Sequence, residues 1–465
     1  MITLFKNANA IVSCDENDTV YYKSDLVVED KIVKSIGKNL DVKADRVIDC
    51  RGKNIYPGLI NTHHHFFQTF VRNLETVNYP NMSVPEWLDT IYPIFSLIDN
   101  QVIYHSSMTA MADLIKHGCT TAFDHQYCYT DKTGVEAVDY QMKAASELGI
   151  RYHAGRGCNT LPRTEGSTMP DVMVESTDTF LNDIQRLADK YHDPKDCSMS
   201  QIVVAPCQPI NSYKETFEES VKLARQLNLR LHTHLGEGEN SIMMERYGMR
   251  TLDWCEEIGF IGEDVWLAHC WELNQDEYKK LARYKTSISH CPSPAILGGF
   301  PILPMRELKE YGTHVSLGCD GSATNDSSNL LDAMRIAFLM QCYFGKERGG
   351  SISSYDMLKM ATSEGAYTLG RKDIGHLAEN MCADLFMIDA STIELTGTIH
   401  DPKSLISRCG VTGNVNMTMI NGEIVFENGK LTRVDESKLN SEGERVCTDI
   451  LRNKNIAFEP YKNGF

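Results

Sequence analysis

The spacing of apolar residues changes character twice along the chain. Up to about residue 57, short β-type runs alternate with turns. They are Met1-Ile-Thr-Leu-Phe5, Ala10-Ile-Val-Ser13, Asp25-Leu-Val-Val28, Lys31-Ile-Val-Lys-Ser-Ile-Gly37 and Arg46-Val-Ile-Asp49. No 3.6-residue period interrupts them, so they read as antiparallel strands. The same texture returns in Ala383-Asp-Leu-Phe-Met-Ile-Asp389 and across 415–430, where Asn421-Gly422 and Asn428-Gly429 mark tight hairpin turns. The two ends together predict one small β-sandwich, built from residues 1–57 and 380–435.

Between them, over 58–379, strand-like runs alternate with helix-like stretches. The runs end near Thr62, Asp124, Arg156, Pro206, His234, His269, His290 and Asp320. Helical spacing occupies 102–118, closed by Gly118, as well as 214–225 and 276–283. Eight strands alternating with helices predict an α/β fold, a (β/α)₈ TIM barrel. Residues 436–465 form a polar C-terminal extension. In such a barrel the active site lies at the C-terminal ends of the strands, so the residues that end each run matter most.

Three of those ends carry metal-ligand side chains. They are Tyr56-Pro-Gly-Leu-Ile-Asn-Thr-His63-His64-His65, Leu229-Arg-Leu-His232-Thr-His234-Leu-Gly-Glu237 and Val315-Ser-Leu-Gly-Cys-Asp320. Strand alternation puts His63 and His65 on one side, which favours that pair over His64. A divalent cation then needs one or two more donors, and the other two ends offer a His and an Asp. His234 is closer to its strand end than His232, which reads as a barrel-interior partner. Glu237, three residues on, can stand above a metal without binding it and move a proton; the plain alternative is a solvated loop carboxylate. The plain alternative for Asp320 is a helix N-cap. His269 ends strand six, and His290 at the end of strand seven is either a substrate contact or a cap.

Composition narrows the function further. The 465 residues are 42% apolar and 23% charged, as in ordinary globular proteins, with a net charge of −17. That charge argues against nucleic acid and suits a small neutral or cationic substrate. No signal peptide or membrane span is expected, and the fifteen scattered cysteines read as reduced thiols of a cytoplasmic protein. Nucleotide-phosphate loops, the nucleophilic serine elbow and the cytidine-deaminase zinc signature are all missing from the sequence.

The motifs Pro57-Gly58-x-x-Asn61-Thr62-His63-x-His65, His234-x-x-Glu237, His269 and Asp320 resemble the amidohydrolase superfamily, in its mononuclear cytosine deaminase and chlorohydrolase-like branch. The resemblance implies that His63, His65, His234 and Asp320 hold one divalent metal, Zn²⁺ or Fe²⁺. Gln201-Ile-Val-Val-Ala-Pro206 offers no lysine for a second metal. It further implies hydrolytic deamination of an amino-substituted N-heterocycle, with Glu237 as proton shuttle, Asp320 as proton acceptor and His269 orienting the attack. Gln68, Trp87 and Arg156 are expected to grip the heterocycle. The segments His63–Thr69 and Gly318–Asp326 look most like 8-oxoguanine deaminases; isoxanthopterin deaminases and hydroxyatrazine or triazine hydrolases share much of the pattern. The loop His290-Cys-Pro-Ser-Pro294 departs from the 8-oxoguanine pattern. A homo-oligomer is compatible with all of this.

Overall fold

Two sheets account for the apolar runs. They are seen in a computed structural model that describes residues 1–74, 77, 82, 84–345 and 352–452. Eight parallel strands lie side by side in sequence order. In order these barrel strands are Leu59–Asn61, Cys119–Gln126, Arg151–Arg156, Ser200–Val204, Arg230–Leu235, Val265–His269, Ser287–His290 and Val315–Leu317. Strands one and eight meet where the Thr62 N–H donates to the Leu317 carbonyl at 3.1 Å and the Asp320 N–H to that of His63 at 3.0 Å. Strand six, Val-Trp-Leu-Ala-His, is buried at every position, which is why it carries no polar alternation.

The intervening helices follow their local signals. In Asn100–Lys116, Asp99 accepts from the N–H groups of Gln101 and Val102. Gly118, at φ +83°, takes the left-handed conformation that ends the turn. Gln275–Tyr284 starts with a capping box of Asn274 and Glu277.

The chain ends form a nine-stranded mixed sheet. It bends over a core of its own that includes Phe5, Leu26, Val28, Met387, Met417 and Met419. Its hydrogen bonding is continuous, because strand Lys53–Pro57 pairs both with Ile2–Val12 and with Leu385–Asp389. Both predicted hairpins are present, with Asn421, Gly422, Asn428 and Gly429 all at positive φ, as two-residue turns require. Helix Glu436–Arg452 packs on Asn100–Lys116. Positions 453–465 of the expected extension lie outside the described residues.

One expectation is corrected. Cys197 and Cys382 are joined in a disulfide, with Cα atoms 5.7 Å apart and 185 residues between them in sequence. Thirteen other cysteines are free, and most are buried. Among the described residues no helix is long and apolar enough to cross a membrane.

Candidate active site

His63 and His65 follow strand one, and both imidazoles face the barrel axis. His64 turns away: its Nδ1 accepts the His65 N–H at 2.8 Å, so its Nε2–H donates to Ser328 Oγ at 2.9 Å. Alternation thus selects the pair that the sequence favoured. His65 Nε2 lies 3.1 Å from His234 Nε2, and Asp320 Oδ1 stands 3.4 Å from His63 Nε2 and 3.3 Å from His65 Nε2.

The tautomers of these rings follow from their other nitrogens. His65 Nδ1–H donates to the His125 carbonyl at 2.9 Å, and His234 Nδ1–H to the Cys207 carbonyl at 2.7 Å. A carbonyl can only accept, so each Nε2 presents a lone pair, and the two lone pairs face each other. His63 Nε2 has no hydrogen-bond partner although it is buried. Converging lone pairs and a buried carboxylate repel one another unless a cation lies among them. Three imidazoles and one carboxylate fit a single divalent metal. Burial, opposed in part by Asp320, lowers His63 to about 4, and burial with neighbouring imidazoles holds His234 well below its usual range. Both are therefore neutral and able to ligate.

The backbone around these groups is specialised. His269 and Asp320 hold φ values of 73° and 65°, unusual for residues with side chains and typical of functional sites. A Cβ on Gly318 would sit 2.8 Å from that of His63, and one on Gly321 would sit 1.8 Å from Gln68 Oε1. Only glycine lets the strand-eight loop approach so closely.

Glu237 lines the same cavity, with Oε1 3.6 Å from His269 Nε2. Its neighbour Glu239 is buried and accepts the N–H groups of Gly236 and Glu237 at 2.6 and 2.7 Å, fixing the turn that presents Glu237. Desolvation, then the negative charge of Asp320, pushes the Glu237 carboxyl well above the ordinary carboxylate range. Among the described residues neither ring nitrogen of His269 has a hydrogen-bond partner, and burial lowers this imidazole to about 3, leaving it neutral.

The cavity measures about 250 Å³. Gln68 and Trp87 line it as expected; Gln68 accepts the Ala323 N–H at 3.3 Å and donates to Tyr127 Oη at 3.2 Å, and Trp87 Nε1 donates to the Ala323 carbonyl at 3.3 Å. Arg156 does not reach it, which corrects the expectation of a substrate contact. Its guanidinium is wholly buried, donates to Asp183 and Glu175, and stacks 3.5 Å from the Tyr129 ring centre. His290 is fully buried behind the cavity lining, and neither of its ring nitrogens has a hydrogen-bond partner among the described residues. Sequence reasoning missed Tyr127 and Cys207, which follow strands two and four, and Tyr92 and Phe300 at the rim. For Tyr127 and Cys207 the available signal was their position just beyond strand ends; Tyr92, inside helix Val84–Phe95, and Phe300, ten residues past strand seven, carried none.

Known proteins resemble the chain in sequence and in fold. Residues 54–425 match the model of the amidohydrolase family. The chain is 48% identical over 460 residues to hydroxydechloroatrazine ethylaminohydrolase of Pseudomonas sp. (strain ADP), covering 97% of this chain and 96% of that one. It is 34% identical over 444 residues to 8-oxoguanine deaminase of Pseudomonas aeruginosa, covering 94% and 96%. In structure it is similar to atrazine chlorohydrolase TrzN from Arthrobacter aurescens complexed with zinc, with a TM-score of 0.91 and 27% identity over 96% of this chain and 100% of that one. The barrel, the converging donors and a family match over most of the sequence agree: the chain belongs to the amidohydrolase family.

Proposed function

We propose that this protein is a hydrolase of carbon–nitrogen bonds that removes an amino or alkylamino group from an oxo- or hydroxy-substituted aromatic N-heterocycle. The observation that carries this reading is the convergence of three imidazole lone pairs and Asp320 at a cavity that Glu237 also lines. His63, His65, His234 and Asp320 would hold one divalent metal, zinc as in the TrzN complex, which supplies the Lewis acidity that makes water a nucleophile near neutral pH.

The chain's own groups do the rest. The Asp320 carboxylate accepts a hydrogen bond from the attacking water and takes its proton. The neutral His269 orients the developing oxygen. Glu237 gives its proton to a ring nitrogen as aromaticity is lost. It recovers one from the new hydroxyl group as C=O forms and passes it to the departing amine, and the proton held by Asp320 then resets Glu237. Water is consumed, a C–O bond replaces the C–N bond, and the amine leaves neutral. Gln68 directs its polar edge toward the ring, and Trp87 supplies an apolar wall.

The substrate we favour is a hydroxylated triazine that carries an alkylamino group. Its support is the 48% identity to the triazine ethylaminohydrolase, together with the apolar rim of Trp87, Leu88, Ile242 and Phe300, which suits an alkyl substituent. 8-Oxoguanine is the second reading, supported by the His63–Thr69 and Gly318–Asp326 segments and by the 34% identical deaminase. Separate assays for ethylamine, ammonia and chloride on a panel of triazines, purines and pterins distinguish them. Ethylamine from a hydroxytriazine is the expected product. Ammonia from 8-oxoguanine alone would move the assignment to the purine, and chloride as the preferred leaving group would defeat both.

A further inference from the structure

The three imidazoles at the metal centre are oriented in two different ways. His65 and His234 donate from Nδ1 to main-chain carbonyls, at His125 and Cys207. His63 instead places Nδ1 3.0 Å from a side chain, His232 Nε2. The other nitrogen of that ring, His232 Nδ1, lies 3.0 Å from the Trp266 carbonyl.

The direction of this chain of hydrogen bonds is fixed at one end. The Trp266 carbonyl can only accept, so His232 carries its proton on Nδ1. Its Nε2 then has a lone pair and accepts from His63 Nδ1–H. That leaves His63 Nε2 without a proton, 3.4 Å from Asp320 Oδ1 and with no hydrogen-bond partner. His232 is 0% exposed, so water cannot take its place. Strand pairing aligns His232 with Trp266, and its ring packs against both Phe123 and Trp266, each with a centroid 4.7 Å away.

We propose that His232 is a positioning residue that relays the polarity of the Trp266 carbonyl to His63, locking His63 in the tautomer that ligates through Nε2. This rests on the metal reading of the site. Partners of this kind, when removed, typically weaken metal binding roughly 10- to 100-fold, because the ligand loses both its orientation and its basicity.

Two variants separate hydrogen bonding from packing. His232→Phe keeps an aromatic ring packed against Phe123 and Trp266 but neither accepts nor donates. His232→Gln retains an amide oxygen to accept from His63 and an N–H for the Trp266 carbonyl. Zinc affinity is measured by competition with a colorimetric chelator. Expected are a roughly 10- to 100-fold loss for His232→Phe and an affinity near that of the unaltered protein for His232→Gln. Equal affinity in all three, or an equal loss in both variants, would overturn the proposal. If the unaltered protein takes up no zinc, the metal reading fails; if it binds zinc and His232→Phe binds as well, only the role of His232 fails. Should His232→Phe not fold, ¹H–¹⁵N spectra of zinc-loaded protein labelled in its histidine rings decide. Protons on Nδ1 of both His63 and His232 are expected, and a proton on His232 Nε2 would overturn the proposal.

Discussion

Two clusters of charged and polar groups lie at strand ends of this barrel, and they differ in one respect. Around Arg156 the charges are matched: Asp183 and Glu175 bind its guanidinium, Arg186 binds the other oxygen of Asp183, and Tyr129 covers the Arg156 face. Around Asp320, lone pairs of His63, His65 and His234 point at one another and at a carboxylate. The first cluster is complete within the protein and serves to hold the segment that follows strand three. The second lacks a positive charge. Burial and polarity alone do not mark a functional site; a buried set of like-natured donors that protein groups cannot satisfy does.

The largest expected effects break the second cluster. Asp320→Ala or His63→Ala should remove the metal and reduce turnover to background, while circular dichroism shows the barrel unchanged. Retained metal at full occupancy in either variant would mean that the donors are misassigned.

Glu237→Gln tests the proton chemistry separately. Size and polarity are kept, so metal content should be unchanged, and kcat should fall by roughly 10²–10⁴-fold. Near-normal kcat would transfer the proton-carrying role to another group, His269 first.

Arg156→Met makes the opposite perturbation in the complete cluster. Glu175, which is part-buried, loses its cation and the buried Asp183 keeps only Arg186, which should cost about 3–5 kcal/mol of stability in denaturant titration, with metal per folded chain unaltered. If metal or KM changes more than stability does, Arg156 is part of the site after all.

The smallest effect is expected at the rim. Trp87→Ala should raise KM roughly two- to tenfold with kcat held, the range of an aromatic contact worth about 0.5–1.5 kcal/mol. A change in kcat alone would argue that Trp87 does not act through binding.

Much of this was legible before any coordinates, for identifiable reasons. Parallel barrel strands are buried on both faces, so their apolar runs stand out, and the residue that ends each run is the one the barrel turns toward its mouth. His63, His65, His234, Glu237, His269 and Asp320 all announce themselves in this way. Arg156 ends its strand just as visibly, yet its partners come from residues 175 and 183, and pairing across such a loop has no local signature. The Cys197–Cys382 bond was hidden for the same reason, since 185 residues separate its halves. The role of Glu239 was also invisible: as a charged residue in a loop it reads as solvated, whereas it folds back to hold the turn beneath Glu237.

The most direct test of the contrast between the two clusters is metal stoichiometry by elemental analysis after saturation and removal of loosely bound ions. One divalent metal per chain is expected in the unaltered protein and in Arg156→Met, and none in Asp320→Ala. Two tightly held metals per chain, none at all, or loss of metal on changing Arg156 would contradict it.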